Sequence, residues 1–420
     1  MSDSTTVATD RRHRRPPWRP GRGRFPAVGQ LGWGLGDQAL SSLTNFALNL
    51  LVARQVGVDQ LGVFSLVFAT YLLALGVSRS LNSDALAVRY SAADAPAWRE
   101  AAAQAGGGAL GLGVAGGLVC VLAGWVAGGL LGQALVVLGV CLPGLLLQDV
   151  WRWAFVARGR SAQAFLNDLV WTLVLAAALA VLLAGGRSSV VAFELAWAGA
   201  AAVAAAAGIA QARLVPWPVN PLRWWRRHRD LNSRYLGEFL TIGAVSQLNS
   251  YGISAVAGLA AVGALRAGEI LVGPVYVLFM GGNMIAVAEG ARVASRSVAR
   301  LARLSLLVSA GMSACAVAWG TVLVLMPDAV GTRVLGSTWY AAAEVLVPYV
   351  LVTIGLTASA GPQTGLRARL VAAPLLLVGA VGGAAVGGAV GAAWGMAAGY
   401  WAAAVVWWWQ FRLALPEHRP

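Results

Sequence analysis

The chain contains no lysine, and it has only three histidines and three cysteines in 420 residues. Charged residues make up 11% of it, where a soluble protein carries about a quarter. These shortages exclude several functions. His13, His228 and His418 fall in loops or tails, so histidine acid–base chemistry has no site. Cys120, Cys141 and Cys315 sit inside apolar segments without metal-ligand spacing, which excludes a zinc site and a disulfide framework. No catalytic constellation remains, so the chain reads as a non-enzyme that needs no metal or cofactor. The missing lysine, beside abundant Ala, Gly and Val, matches the codon bias of a GC-rich genome.

What is present is apolar: 58% hydrophobic residues, with a mean hydropathy of +0.69. The net charge of +14 would fit nucleic acid, but the arginine placement rejects that partner. Apolar runs of bilayer-spanning length, about 20 residues each, alternate with arginine-bearing loops. Only Arg54, Arg187, Arg266 and Arg333 fall in loops of one side, and every other arginine falls on the opposite side. Orientation in a membrane requires such a bias, with arginine inside. Both termini are therefore expected to be cytoplasmic. At 1.5 Å per residue the last run, 374–411, would extend about 57 Å as one helix, nearly twice the roughly 30 Å hydrocarbon core. It must fold back, and Gly387–Gly388 is the expected turn.

Twelve spans result, in an all-α polytopic fold. Residues 1–27 form a disordered basic tail rich in arginine and proline. Residues 28–210 make a six-helix lobe, 211–238 a basic cytoplasmic linker, 239–413 a second six-helix lobe, and 414–420 a tail. The seventh and eighth spans are expected at 239–265 and 270–291, with Arg266 in the loop between them.

The first span carries Asp37, Ser41, Asn45 and Asn49 at a strict spacing of four. Residues four apart share one helix face, and polar groups at membrane depth must pack inward or line a wet cavity. This helix thus has a lipid side and a pathway side. Val56-Gly57 with Gly62 is echoed by Val262-Gly263 with Gly268, an offset of 206 residues. That register sets Gln247 opposite Ser41 and Tyr251 opposite Asn45, giving the seventh span its own polar stripe. A duplicated six-helix unit around a midplane site is a common transporter plan.

The segments ARQVGVDQLGVFSLVFA, from Ala53, and VGALRAGEILVGPVYVL, from Val262, together with twelve spans, resemble the polysaccharide-export branch of the MOP superfamily. That branch holds the Wzx-type flippases of O-antigen and teichoic-acid precursors and is related to the multidrug MATE exporters. The resemblance implies two six-helix lobes that open alternately to either side. It implies a cationic cavity between them for the pyrophosphate head of a polyprenyl-linked glycan. A polysaccharide polymerase or glycosyltransferase would be a partner, and membrane lipids surround the whole.

Within this frame the candidate cavity residues are Ser41, Asn45, Asn49, Arg54, Gln247 and Tyr251. Arg54 is either an anion-binding group at the outer mouth or an interfacial arginine that snorkels. Asp149 and Arg152 are spaced i, i+3 and so able to pair. An antiparallel hairpin sets Asp168 opposite Arg152, near Gln148 and Asn167, in a gate or a structural network. Arg266/Glu269 and Glu289/Arg292 repeat the i, i+3 spacing near helix ends and read as structural pairs. Asp37 has no basic neighbour within two turns in sequence. It is either a proton- or sodium-coupling carboxyl or a helix-start acid favoured by the dipole. The alternative function is that of a MATE-type small-molecule antiporter.

Overall fold

The computed structural model describes the backbone of residues 24–216, 221–294, 298–358 and 366–414, and the side chains of most of these. The C-terminal tail, the Glu289/Arg292 pair and all of the N-terminal tail before Arg24 lie outside the described residues.

Helix α1 is Arg24–Gln55, and α2 is Val58–Tyr90 with a wide π turn at Arg79–Ser83. Then follow α3 (Ala95–Ala127), α4 (Gly129–Ala157), α5 (Ser161–Ala184) and α6 (Val190–Ala212). Two short helices, α7 (Pro221–Arg227) and α8 (Arg229–Glu238), connect the halves. The helical stretch Ala244–Ala294 is broken at Gly258 into α9 (244–257) and α10 (259–294). After α11 (Val298–Val324), α12 (Asp328–Leu335) and α13 (Trp339–Ala358), the stretch Leu366–Ala414 is broken at Gly387–Gly388 into α14 (366–386) and α15 (389–414).

Among the described residues nine stretches are long and apolar enough to cross a membrane, and the two that contain Gly258 and Gly387–Gly388 each hold two helices. With α1, and with α9 counted together with the continuous helical run that leads into it from Arg229 through a π turn at Phe239–Gly243, the described residues contain twelve membrane-length helices in two six-helix lobes. The fold-back at Gly387–Gly388 falls where the length argument places it, and Gly388 takes φ +56° there. A glycine adopts that conformation at no Cβ cost.

The turn between α9 and α10 is a correction. It lies at Gly258 (φ +83°), eight residues before the expected loop at Arg266. Arg266 is therefore inside α10 and not in an outer loop. A chain reversal needs the backbone freedom of Gly258 more than it needs a charge.

Small residues let these helices touch. In the α14–α15 hairpin a Cβ on Gly383 would lie 2.1 Å from the Gly391 carbonyl, and one on Gly395 1.8 Å from that of Gly379. Close backbone approach of this kind is how helices gain packing energy in lipid.

The two lobes meet along α2, α9 and α10. A Cβ on Gly62 would lie 2.0 Å from the Leu259 carbonyl, and one on Gly263 2.0 Å from the Val58 carbonyl. Gly57 and Gly258, Val58 and Leu259, and Gly62 and Gly263 each stand 201 positions apart. These reciprocal contacts mark a pseudo-twofold axis, and the repeat register is 201 rather than 206. Ser246 and Ser250 thus replace Gln247 and Tyr251 as counterparts of the first-span stripe, matching Asn45 and Asn49.

Candidate functional site

Polar groups gather in two places. The first lies inside the N-terminal lobe, where α1, α4, α5 and α6 converge. Arg152 of α4 pairs with Asp37 of α1 (Nη2–Oδ2 2.7 Å, Nε–Oδ2 2.8 Å) and faces Asp168 of α5 (Nε–Oδ2 3.4 Å). Gln148, one turn earlier on α4, donates to Asp168 Oδ1 (2.8 Å) and Asn167 Oδ1 (3.2 Å). Asn167 donates in turn to the Ala204 carbonyl and to Gln211 Oε1, both at 2.9 Å on α6. Asp37, Gln148, Asn167 and Asp168 are all buried, and the second oxygen of Asp37 has no hydrogen-bond partner.

Two earlier expectations change here. Asp37 has a partner, Arg152, brought to it by tertiary packing across 115 residues. Asp149 does not pair with Arg152 but with Arg79, at 2.6 Å to Nη2 and 3.1 Å to Nε. On a helix, positions i and i+3 are about 60° apart, so Arg152 turns toward α1 and α5 while Asp149 turns toward α2. The π turn at Arg79–Ser83 carries Arg79 into that contact. The expected hairpin contact between Arg152 and Asp168 is present.

The second place is a cavity of about 170 Å³ at the junction of the lobes. Its lining comes from α2 (Ser65, Phe68), α9 (Gln247, Asn249), α10 (Arg266, Glu269), α13 and α15. Tyr276, Tyr349 and Tyr400 supply three aromatic walls. Arg266 is its organising cation. Its Nη1 donates to Glu269 Oε2 at 2.7 Å, while Nη2 and Nε donate to Asn49 Oδ1 at 2.7 and 3.2 Å. The guanidinium also lies 5.3 Å from the Phe68 ring centroid, a cation–π distance. Asn49 is held for this role by its own amide, which donates to the Asn45 carbonyl at 2.7 Å. One arginine thus ties α1 and α2 of the first lobe to α10 of the second. Asn249, which lines this space, has its Oδ1 buried without a hydrogen-bond partner.

Of the residues expected at the cavity, Gln247 lines it and Asn49 reaches it through Arg266. Ser41 and Asn45 are half-buried on α1, outside the lining. Tyr251 is also outside it and bonds Thr70 of α2 through its hydroxyl (2.5 Å). Arg54 is exposed at the end of α1, away from the lining. The cavity charge is balanced by Arg266 and Glu269, where a cationic cavity was expected.

Sequence reasoning missed three features. Arg266 and Glu269 were assigned a structural role alone, because the turn was placed beside them. The tyrosines were not singled out. Glu194 on α6 is fully buried, with neither carboxylate oxygen bonded. A lone acid in the apolar run VVAFELAWAG was the available signal for it. Among the described residues, no three His, Cys, Asp or Glu side chains cluster as a metal site would require.

Fold and site together define a polytopic membrane protein of two matched lobes with a polar chamber between them. No family model and no curated protein matches the sequence. Among solved structures, an inward-facing multidrug resistance MATE family transporter of the MOP superfamily superposes with a TM-score of 0.68 at 17% identity. It covers 92% of this chain and 100% of its own. An outward-facing MATE family transporter gives 0.56 at 16% identity, covering 93% and 96%. A MOP superfamily transporter from Pyrococcus furiosus, described as having a binding pocket of reverse polarity, gives 0.52 at 14% identity, covering 93% and 95%. The likeness is one of fold, the MATE-like arrangement of twelve membrane helices.

Proposed function

We propose that the chain is an alternating-access transporter that moves a lipid-linked oligosaccharide across the bacterial cytoplasmic membrane. The observation that carries this reading is the junction cavity, lined from both lobes and organised by Arg266. A site at the meeting plane of two lobes is the one place from which rocking can expose a substrate to either side. Its lining of amides, hydroxyls and tyrosines hydrogen-bonds sugar hydroxyls. Arg266 has five N–H donors and spends three on Asn49 and Glu269. Two remain for a phosphate. In this reading the substrate is a polyprenyl-pyrophosphate glycan, and both termini face the cytoplasm. A polymerase or glycosyltransferase consumes or supplies the glycan.

Asp37 and Asp168 share the single guanidinium of Arg152, which leaves room for one proton or sodium ion. We assign coupling to that trio. Ion uptake would loosen Arg152 and shift α1 against α4 and α5. A second reading, a MATE-type antiporter of small cations, is favoured by Glu269, whose side chain keeps 42% of its surface exposed.

Proteoliposomes separate the two. Flipping of a labelled polyprenyl-pyrophosphate glycan that Arg266→Ala abolishes and Arg54→Ala spares supports the flippase. Gradient dependence lost in Asp37→Asn supports the coupling site. No flipping, with gradient-driven expulsion of a cationic dye, would replace the first reading by the second.

A further inference from the structure

The connector between the lobes has a feature that transport does not use. Trp224, His228 and Asn232 recur every four residues through α7 and α8, and all three are buried. They fasten the connector to the end of α2. Trp224 Nε1 donates to the Leu81 carbonyl (3.0 Å), and Trp225 Nε1 donates to Asn82 Oδ1 (3.2 Å). The Tyr90 hydroxyl meets His228 Nε2 at 3.1 Å, and Arg89 pairs with Asp230. The opposite side carries Arg223, Arg226, Arg227, Arg229 and Arg234, all exposed. The acids on the two helices are Asp230, already held by Arg89, and Glu238 at the far end.

The level of this face relative to the bilayer follows from α3. That helix has 33 residues, about 50 Å at 1.5 Å per residue, and exceeds the hydrocarbon core by roughly 20 Å. About 20 residues counted back from its other end at Ala127 reach Gly108. There the connector arrives: a Cβ on Gly106 or Gly111 would lie 3.2 Å from Pro216 or Pro221. So α7 begins at the boundary of the hydrocarbon, where lipid head groups lie.

We propose that the outer face of α7–α8 is a binding surface for anionic phospholipid head groups, held by Arg223, Arg226, Arg227, Arg229 and Arg234. A guanidinium forks onto phosphate oxygens through paired N–H donors. The buried Trp224–His228–Asn232 stripe keeps the five from collapsing onto the protein. Each basic residue at an anionic leaflet is worth about a fivefold gain in binding.

The test uses the full chain in mixed micelles of phosphatidylglycerol and phosphatidylcholine, with retained lipid read by native mass spectrometry. The wild type should retain phosphatidylglycerol preferentially, and Arg226→Gln/Arg227→Gln should weaken that retention about 25-fold. Arg226→Lys/Arg227→Lys should preserve most of it, as should Arg187→Gln/Arg333→Gln, which removes two exposed arginines elsewhere. Millimolar inorganic phosphate should not displace the lipid. If the glutamine pair does not fold, Arg223→Gln/Arg234→Gln carries the same expectation. Equal retention in wild type and the folded glutamine variant would overturn the proposal. So would an equal loss in the Arg187/Arg333 control, or full displacement by phosphate.

Discussion

Arg152 holds two buried carboxylates, and each charge in that trio is tolerated only because the others are present. Removing one partner of a buried ion pair typically costs about 3–5 kcal/mol, since it strands the other charge. Arg152→Ala should therefore lower the melting temperature sharply, while Asp37→Asn, which leaves Arg152 facing Asp168, should cost much less. Thermal denaturation of both in the same detergent checks the order, and equal shifts would contradict the sharing. His228 gives a second expectation, outside the membrane. Its Nδ1–H donates to the Trp224 carbonyl, so Nε2 is the unprotonated nitrogen that accepts from Tyr90. Burial, with the Arg89 and Arg227 charges adding to it, lowers its pKa below the ordinary 6.5. Below 6.5 the unfolded chain then binds the proton that the folded chain refuses. Stability is full above that value and falls as pH drops toward the folded pKa. Melting curves between about pH 5 and 8 should show this slope in the wild type, flattened in His228→Gln. The trio's local half was legible, because a helix hairpin of short turn sets Asp168 against Arg152. Asp37 meeting Arg152, and Asp149 meeting Arg79, were not legible: both contacts depend on how separate helices rotate.

Among elements, length and hydropathy revealed the helices because a bilayer allows few other structures. They revealed Gly387–Gly388 as a turn because no single helix of that length fits. Gly258 escaped because it sits in an unbroken apolar stretch, AVAGLAAVGAL, while Arg266 nearby imitates a loop. The repeat register slipped with it, since a Val-Gly pair is too common to fix an offset. The reciprocal crossing of Gly62 over Leu259 and Gly263 over Val58 fixes it instead. Neither site has room for a methyl group, because what a Cβ would strike is backbone. Gly62→Ala and Gly263→Ala should each destabilise by about 1–3 kcal/mol, the usual cost of overpacking. Gly32→Ala on α1, with nothing within 4 Å of the added carbon, should be neutral or slightly stabilising. Parallel melts of the three variants decide it. A tolerated Gly62→Ala would mean that the lobes are not joined at this crossing.

For the molecule as a whole, alternating access requires the contacts between lobes to break and re-form. Those contacts are arranged in sequence along the interface. Gly62 meets Leu259 near the Gly57 and Gly258 turns, Thr70 bonds Tyr251 midway, and Gly76 packs on Phe239 toward the connector. On the other side of the axis Phe46 lies against Gly273 and Asn49 holds Arg266. At the turn end the joint is reinforced by the Thr338 hydroxyl, which donates to the Ala53 carbonyl at 2.9 Å. This end is closed, so under the proposed transport reading substrate leaves through it only if the glycine crossing separates. Val58 and Leu259 are symmetry mates on either side of that crossing and both are half-buried. With the native cysteines Cys120, Cys141 and Cys315 replaced, Val58→Cys/Leu259→Cys can be bridged by a short reducible cross-linker. Cross-linking should stop transport, reduction should restore it, and either single cysteine should be unaffected by the reagent. Full transport with the bridge in place would show that the lobes do not part at this end. The duplicated halves would then be a scaffold around a fixed cavity rather than two arms that rock about it.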